Sequence, residues 1–168
     1  MTTGMTDRAD AALRAHIRAL LTARQAHVTL DDVLKDFPLE RINDRGENLP
    51  YSAWELLSHL RFTQRDILNF VRDAGYTEPD WPADYWPGRS RAATAEDWQA
   101  EAQAFRDDLA ALLGLLDDLR TDLLATVPNG AAPHGKGQTW LREFLLAADH
   151  NAYHVGQLLL LKRRLGSG

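Results

Sequence analysis

The sequence predicts an all-α protein built from four long helices and one short helix. Proline and glycine cluster in three stretches, residues 38–50, 75–88 and 128–137, and these stretches separate four long segments. Within the long segments apolar residues recur every three or four positions, which is the spacing of one helix face. No segment shows the alternation of apolar and polar residues that is typical of a strand. At 168 residues, the chain is expected to form a single helical domain over residues 1–168.

The first long helix and the short helix are predicted from an amphipathic repeat and from a capping residue. Leu13, Ile17 and Leu21 mark one face of a helix over residues 6–24. Thr29 precedes two aspartates and fits the N-cap of a short extra helix, because a threonine hydroxyl accepts hydrogen bonds from the unpaired N–H groups of a first turn.

The second long helix has the clearest start, and a long aromatic loop follows it. Ser52 stands three residues before Glu55, which is the capping-box pattern S-x-x-E, and Gly75 is expected to cap the C-terminus. Residues 75–93 form a loop that is long for a compact domain, and two interpretations stay open: a lid over a binding site, or a plug at the end of the bundle or in a dimer contact. Its aromatic residues are Tyr76, Trp81, Tyr85 and Trp86.

The third long helix is predicted to start at Thr94 and to continue to Leu123, because its apolar residues keep spacings of three and four throughout. Such a seam is typical of a helical bundle. Two pairs of acidic residues lie off the seam and are expected to face solvent, with a catalytic pair of carboxylates as the alternative. The pairs are Asp107 with Asp108 and Asp117 with Asp118.

The fourth long helix, residues 139–165, contains two histidines at a metal-binding spacing. It is apolar on almost every side, so it is expected to be central or to lie in an interface. His150 and His154 are four positions apart and leave the same face of the helix, although H-x-x-x-H by itself is a weak pattern. His59, early in the second long helix, lies at the margin of an apolar stripe. Three histidines from two helices form a ligand set with a fourth tetrahedral position for water or substrate.

The polar residues around these histidines restrict the chemistry. Asn151 stands where an H-E-x-x-H metalloprotease carries its glutamate, so peptidase chemistry is disfavoured. Asn151 can hydrogen-bond across the bundle, and Asp149 or Gln157 can orient an imidazole, while ordinary helix polarity explains each of them equally well. The remaining histidines are expected to be structural or exposed, and they are His16, His27 and His134.

The composition excludes several classes of function. The net charge of −5 gives the chain no overall attraction for nucleic acid or for an anionic membrane. The absence of cysteine excludes disulfides, cysteine-based zinc sites and a protein thiolate, so a thiol nucleophile would have to come from a co-substrate. The apolar run at residues 158–161 is far shorter than the roughly 20 residues that span a bilayer. We therefore expect a cytoplasmic protein that has neither nucleic acid nor a membrane as partner.

Two histidine-bearing stretches together form a specific pattern. Residues 54–61 read WELLSHLR, residues 149–158 read DHNAYHVGQL, and KRRLG follows at residues 162–166. The chain resembles the DinB-like (YfiT-like) superfamily in these stretches. The resemblance implies a four-helix bundle of the DinB/YfiT-like type, a homodimer, and one divalent metal ion, zinc or nickel, held by His59 and the pair His150 and His154.

The resemblance also implies two candidate functions. Characterised members include transferases and isomerases that use low-molecular-weight thiols, so the first candidate is a metal-dependent hydrolase or thiol-S-transferase. In it, the metal lowers the pKa of a bound water or co-substrate thiol. The second candidate is a non-catalytic, dimeric, metal-binding stress-response protein in which the metal links two helices. The superfamily is named for induction by DNA damage, which does not imply DNA binding.

Overall fold

Five α-helices make up the regular structure in the part of the chain that the computed structural model describes, residues 3–46, 49–88, 91–133 and 135–166. Within these residues no strand occurs, and an isolated bridge joins Thr126 to Thr139. The helices are α1 (Thr3–Thr22), α2 (Leu30–Leu34), α3 (Ala53–Arg72), α4 (Ala95–Asp117) and α5 (Trp140–Leu165). Short 3-10 turns lie at Leu39–Arg41, Ala83–Tyr85 and Pro128–Gly130. The predicted all-α class is confirmed.

The starts of four helices follow from their local sequence. Thr29, Ser52 and Thr94 each accept the N–H of the residue three positions later, whose carboxylate in turn accepts the N–H of the cap. Thr139 caps α5 by accepting the N–H of Arg142. Each cap satisfies backbone donors that a first helical turn leaves unpaired. The predicted starts of the short helix and of the last three long helices are therefore confirmed.

The end of α4 differs from the prediction. The apolar repeat predicted a helix to Leu123, but α4 ends at Asp117 and Leu119 is 81% exposed. Arg14, on α1, donates hydrogen bonds to three backbone carbonyls at or just after the end of α4. These carbonyls, which the helix itself leaves without a donor, therefore have a partner on another helix. These carbonyls belong to Leu116, Asp118 and Thr121.

Two other predicted boundaries are displaced. The helix predicted over residues 6–24 occupies Thr3–Thr22 instead. At the end of α3, Asp73 takes the C-cap position that was expected for Gly75, and its N–H bonds to the carbonyl of Asn69. The N–H of Gly75 donates to the carboxylate of Asp73 at 2.9 Å, so this glycine belongs to the turn after the helix.

One of the acidic residues expected in solvent is buried. Asp108 is 2% exposed and forms an ion pair with Arg65 of α3 at 2.5 Å. Asp107 and Asp117 are exposed as predicted, while Asp118 is half-buried. A buried carboxylate without a partner is costly, so the position depends on an arginine that lies 43 positions away, on another helix. The repeat within α4 contains no information about that partner.

Helix α3 lies at the centre of the helix contacts, and it carries His59. It packs against α4 and α5, and α1 packs against the same two helices. Two buried apolar clusters hold the four long helices together, one that includes Leu60 and Leu158 and one that includes Leu68 and Phe144. Within the described residues, no helix is long and apolar enough to cross a lipid bilayer.

Candidate metal centre

The structure brings together the three histidines that the sequence singled out. His59 comes from α3, and His150 and His154 come from α5. One ring nitrogen from each lies within 4.8 Å of the other two. Nε2 of His59 and Nε2 of His150 are 3.1 Å apart. The contact between α3 and α5 therefore carries a cluster of imidazoles with the composition of a three-histidine metal site.

Hydrogen bonds to oxygen acceptors orient two of the three rings. Nδ1 of His59 donates to the backbone carbonyl of Tyr85 at 2.8 Å, and Nδ1 of His154 donates to Oε1 of Gln157 at 2.6 Å. Because both acceptors are carbonyl oxygens, each Nδ1 carries the hydrogen and each Nε2 keeps its lone pair. Of the two residues that the sequence offered for orienting an imidazole, Gln157 makes such a contact. Asp149, the other candidate, is among the residues that line the neighbouring pocket.

The third ring, that of His150, shows how the cluster fits a cation. Its Nδ1 is buried and has no hydrogen-bond partner among the described residues, while its Nε2 faces that of His59. Two nitrogens on one tetrahedral zinc ion at about 2.05 Å lie about 3.3 Å apart, close to the 3.1 Å observed. A cation bound by the three Nε2 atoms would accept a lone pair from each ring. The donor set suits zinc, nickel, copper or iron.

Burial keeps all three imidazoles in the neutral form that binds metal. It lowers the pKa of His59, and it lowers the pKa of His150 to about 3 and that of His154 to about 4. The other two rings lower the pKa of His150 further, since a positive charge on one ring opposes a second charge nearby. At neutral pH no proton has to be displaced from an imidazolium before a metal binds.

An open pocket of about 410 Å³ lies against the three histidines. Trp81 and Tyr153 stand in its wall and are 71% and 65% exposed, and they are the two large aromatic residues left exposed within the described ranges. The volume lies within the range that is usual for small-molecule sites. The other lining residues are Tyr51, Trp86, Leu146, Asp149 and Gln157.

Trp86, from the loop between α3 and α4, forms a stack of three rings with His59. Its ring lies parallel to the imidazole of His59 with centroids 4.0 Å apart, and parallel to the ring of Tyr51 with centroids 3.9 Å apart. Both faces of Trp86 are therefore covered by other rings. The stack closes one side of His59 and restricts rotation of its ring.

Asp66 is a contributor to the site that the sequence reasoning missed. Its buried carboxylate accepts a hydrogen bond from the hydroxyl of Tyr85 at 2.6 Å and from that of Tyr76 at 2.9 Å. Burial raises the pKa of both hydroxyls, to about 12 for Tyr76, so both remain donors at neutral pH. The available signal was the spacing of Asp66 seven residues after His59, which places both on one face of α3.

Asn151 hydrogen-bonds to another helix, which is one of the two interpretations that the sequence allowed for it. Its Nδ2 donates to Oε1 of Gln64 on α3 at 2.9 Å, and Nε2 of Gln64 donates to the carbonyl of Phe105 on α4 at 2.8 Å. These two bonds tie α5, α3 and α4 together beside the histidines. Among the other histidines, His16 and His27 are exposed as expected, and the prediction for His134 falls outside the described residues.

Comparison with known protein families gives one match. A model of the DinB superfamily matches residues 22–158, which is more than half of the chain and includes all three clustered histidines. Comparisons with curated proteins and with solved structures found no match.

Proposed function

The chain belongs to the DinB superfamily, and from that premise we propose that it is a metal-dependent enzyme of the DinB/YfiT-like four-helix-bundle type. In this proposal His59, His150 and His154 hold one divalent cation, zinc or nickel. The observation that carries the proposal is the convergence of three neutral imidazoles beside an open pocket. The candidate ligand group contains no carboxylate within the described residues, which leaves a coordination position for a small molecule.

The bound cation would supply a Lewis acid that makes a water or a thiol nucleophilic near neutral pH. The protein's own residues prepare that chemistry: the carbonyl of Tyr85 and the amide of Gln157 hold two rings in the ligating tautomer. Since the chain has no cysteine, the thiol would be a low-molecular-weight co-substrate. In thiol transfer, the S–H proton leaves to solvent, sulfur bonds to an electrophilic carbon, and the leaving group departs with its electron pair.

The walls of the pocket favour an electrophile with a flat, apolar group. Trp81 and Tyr153 present exposed rings beside the histidines, whereas Trp86 has both faces covered. A flat substrate group that lies against the exposed rings would remove their apolar surface from water. We therefore expect aryl electrophiles to react faster than aliphatic ones of similar intrinsic reactivity.

Metal content and turnover of the His150→Ala variant test the proposal. Protein purified without a histidine tag is expected to contain about one zinc or nickel ion per chain, and His150→Ala to lose most of the metal and the turnover. The assay pairs a small thiol with 1-chloro-2,4-dinitrobenzene or with iodoacetamide, and adds a panel of aryl esters for hydrolysis. His16→Ala, which removes an exposed histidine on α1, is the matched control and should keep both the metal and the turnover. A metal-loaded wild-type protein that is inert in every assay would contradict the enzyme proposal.

The location of the ligands on two helices favours the non-catalytic, dimeric metal-binding protein as the second candidate. His59 lies on α3 and the other two histidines lie on α5, so a bound cation would cross-link these helices. Exposed Tyr153 and Leu160 on α5 offer an apolar surface for the proposed homodimer. A dimer by sedimentation, a metal that stabilises the fold and an inactive protein would together support this candidate.

A further inference from the structure

We infer that Tyr85 is a positioning residue that sets the tautomer of His59, and that Asp66 holds Tyr85 in the position from which it does so. The inference deepens the proposed function and rests on it in one respect, since His59 is taken as a metal ligand. It concerns residues outside the three-histidine cluster. The assignment follows from three contacts between α3 and a single residue of the loop.

Helix α3 contacts Tyr85 at its carbonyl, its ring and its hydroxyl. Nδ1 of His59 donates to the carbonyl at 2.8 Å, and the hydroxyl donates to Oδ2 of Asp66 at 2.6 Å. Between them, the ring of Phe62 meets the ring of Tyr85 edge to face with centroids 5.2 Å apart. His59, Phe62 and Asp66 are spaced by three and four residues and share one face of the helix. A buried tyrosine is thus fixed along its whole length by one helix face.

The carbonyl of Tyr85 decides which nitrogen of His59 is available to a metal. A carbonyl oxygen only accepts, so its partner Nδ1 must carry the hydrogen, and Nε2 then presents its lone pair toward His150. Trp86, the next residue, stacks on the same imidazole. If the carbonyl moves away, His59 can take the tautomer with hydrogen on Nε2, which cannot bind a metal through that atom.

Asp66 accounts for the fixed position of the carbonyl. Its two carboxylate oxygens accept from two tyrosines of the same loop, Oδ1 from Tyr76 near the start and Oδ2 from Tyr85 near the end. A buried carboxylate is stabilised by such donors and would be costly without them. Of the two tyrosines that donate to Asp66, only Tyr85 also contacts His59. Removing one hydroxyl at a time therefore gives a matched pair of variants.

The test measures the tautomer of His59 in the metal-free, full-length protein by ¹⁵N NMR of the imidazole nitrogens. Wild type is expected to show hydrogen on Nδ1, whereas Tyr85→Phe should show a mixture of both tautomers. Zinc affinity, measured by competition with a chromogenic chelator, should fall by about 10-fold in Tyr85→Phe, as is usual when a partner of a metal-binding histidine is lost. Tyr76→Phe removes the other hydroxyl from the same carboxylate and should change the affinity by less than about twofold.

A second variant keeps the test decisive if Tyr85→Phe does not fold. Asp66→Ala removes the acceptor of the same bond and should produce the same mixture of tautomers. A folded Tyr85→Phe or Asp66→Ala protein with the wild-type tautomer and the wild-type zinc affinity would overturn the inference. Because the tautomer is read without metal and without turnover, the inference can fail while the enzyme is active, or hold while the protein proves inert.

Discussion

Arg65 and Asp108 form an ion pair whose two members differ sharply in exposure. The carboxylate of Asp108 is 2% exposed, whereas the side chain of Arg65 is 42% exposed and reaches it from α3 at 2.5 Å. The pair therefore contributes to the stability of the fold mainly because the buried carboxylate of Asp108 would be costly without a partner. Arg18 and Asp117, an exposed pair between α1 and α4, do not carry this cost.

Replacement of Arg65 by methionine is expected to destabilise the fold by about 2 kcal/mol, which is less than the roughly 3–5 kcal/mol lost when a fully buried pair is broken, because water reaches the arginine side. The matched variant Arg18→Met breaks the exposed pair and should cost less than about 1 kcal/mol. Urea unfolding followed by circular dichroism measures both free energies of unfolding. An equal decrease in the free energy of unfolding in the two variants would show that burial of Asp108 does not govern the energy of its ion pair.

At the scale of one element, the N-terminus of α4 depends on a charged carboxylate. Asp97 accepts hydrogen bonds from the guanidinium of Arg91 and from the N–H of Thr94, and these bonds hold the pKa of Asp97 well below its usual range. Negative charge in a first helical turn also interacts favourably with the helix dipole. The start of α4 is therefore expected to weaken in acid.

The acid sensitivity of α4 is tested with Asp97→Asn. Because the folded-state pKa lies below the unfolded value of about 3.9, the stabilisation is present above about pH 4 and is lost as the pH falls further. Wild type should melt at a higher temperature than Asp97→Asn at pH 6, and the difference should shrink toward pH 2. Asp107→Asn, an exposed change later in α4, is the control and should not show this convergence. A difference that is the same at both pH values would contradict the capping role.

At the scale of the whole molecule, a metal ion bound by the histidine cluster, as proposed, would couple metal binding to the packing of α3 against α5. The three candidate ligands come from two helices that are far apart in the chain, and those helices carry much of the buried apolar surface. A ligand that binds only the folded state stabilises it by mass action. Removal of metal should therefore loosen the association of the two helices in particular.

Zinc at about 100 times its dissociation constant should stabilise the wild-type protein by about 2.7 kcal/mol. For a chain of this length, that corresponds to a rise in melting temperature of about 5–10 °C. EDTA should abolish the rise, and His154→Ala should show no response to either addition. Calorimetric melts of the two proteins with zinc, with EDTA and with neither provide the measurement. A zinc-induced rise that persists in His154→Ala would place the binding site elsewhere.

The sequence by itself determined the starts of four helices and the candidate ligands of a metal ion. A cap depends on residues three positions apart, and two ligands lie four apart on one helix, so these features are visible in a short window. The same local reasoning named Asp149 and Gln157 as candidates for orienting an imidazole, and in the structure Gln157 makes that contact. Membership in the superfamily was likewise visible in two short stretches.

Only the tertiary structure decided where α4 ends, which acidic residue is buried and what orients His59. Arg14 satisfies the carbonyls at the end of α4 from 102 to 107 positions away, Arg65 pairs with Asp108 from another helix, and Tyr85 reaches His59 across 26 positions. These outcomes depend on which polar groups find partners after the helices have packed, because a buried group is stable only when it is paired. The pattern along a single helix contains no record of that pairing.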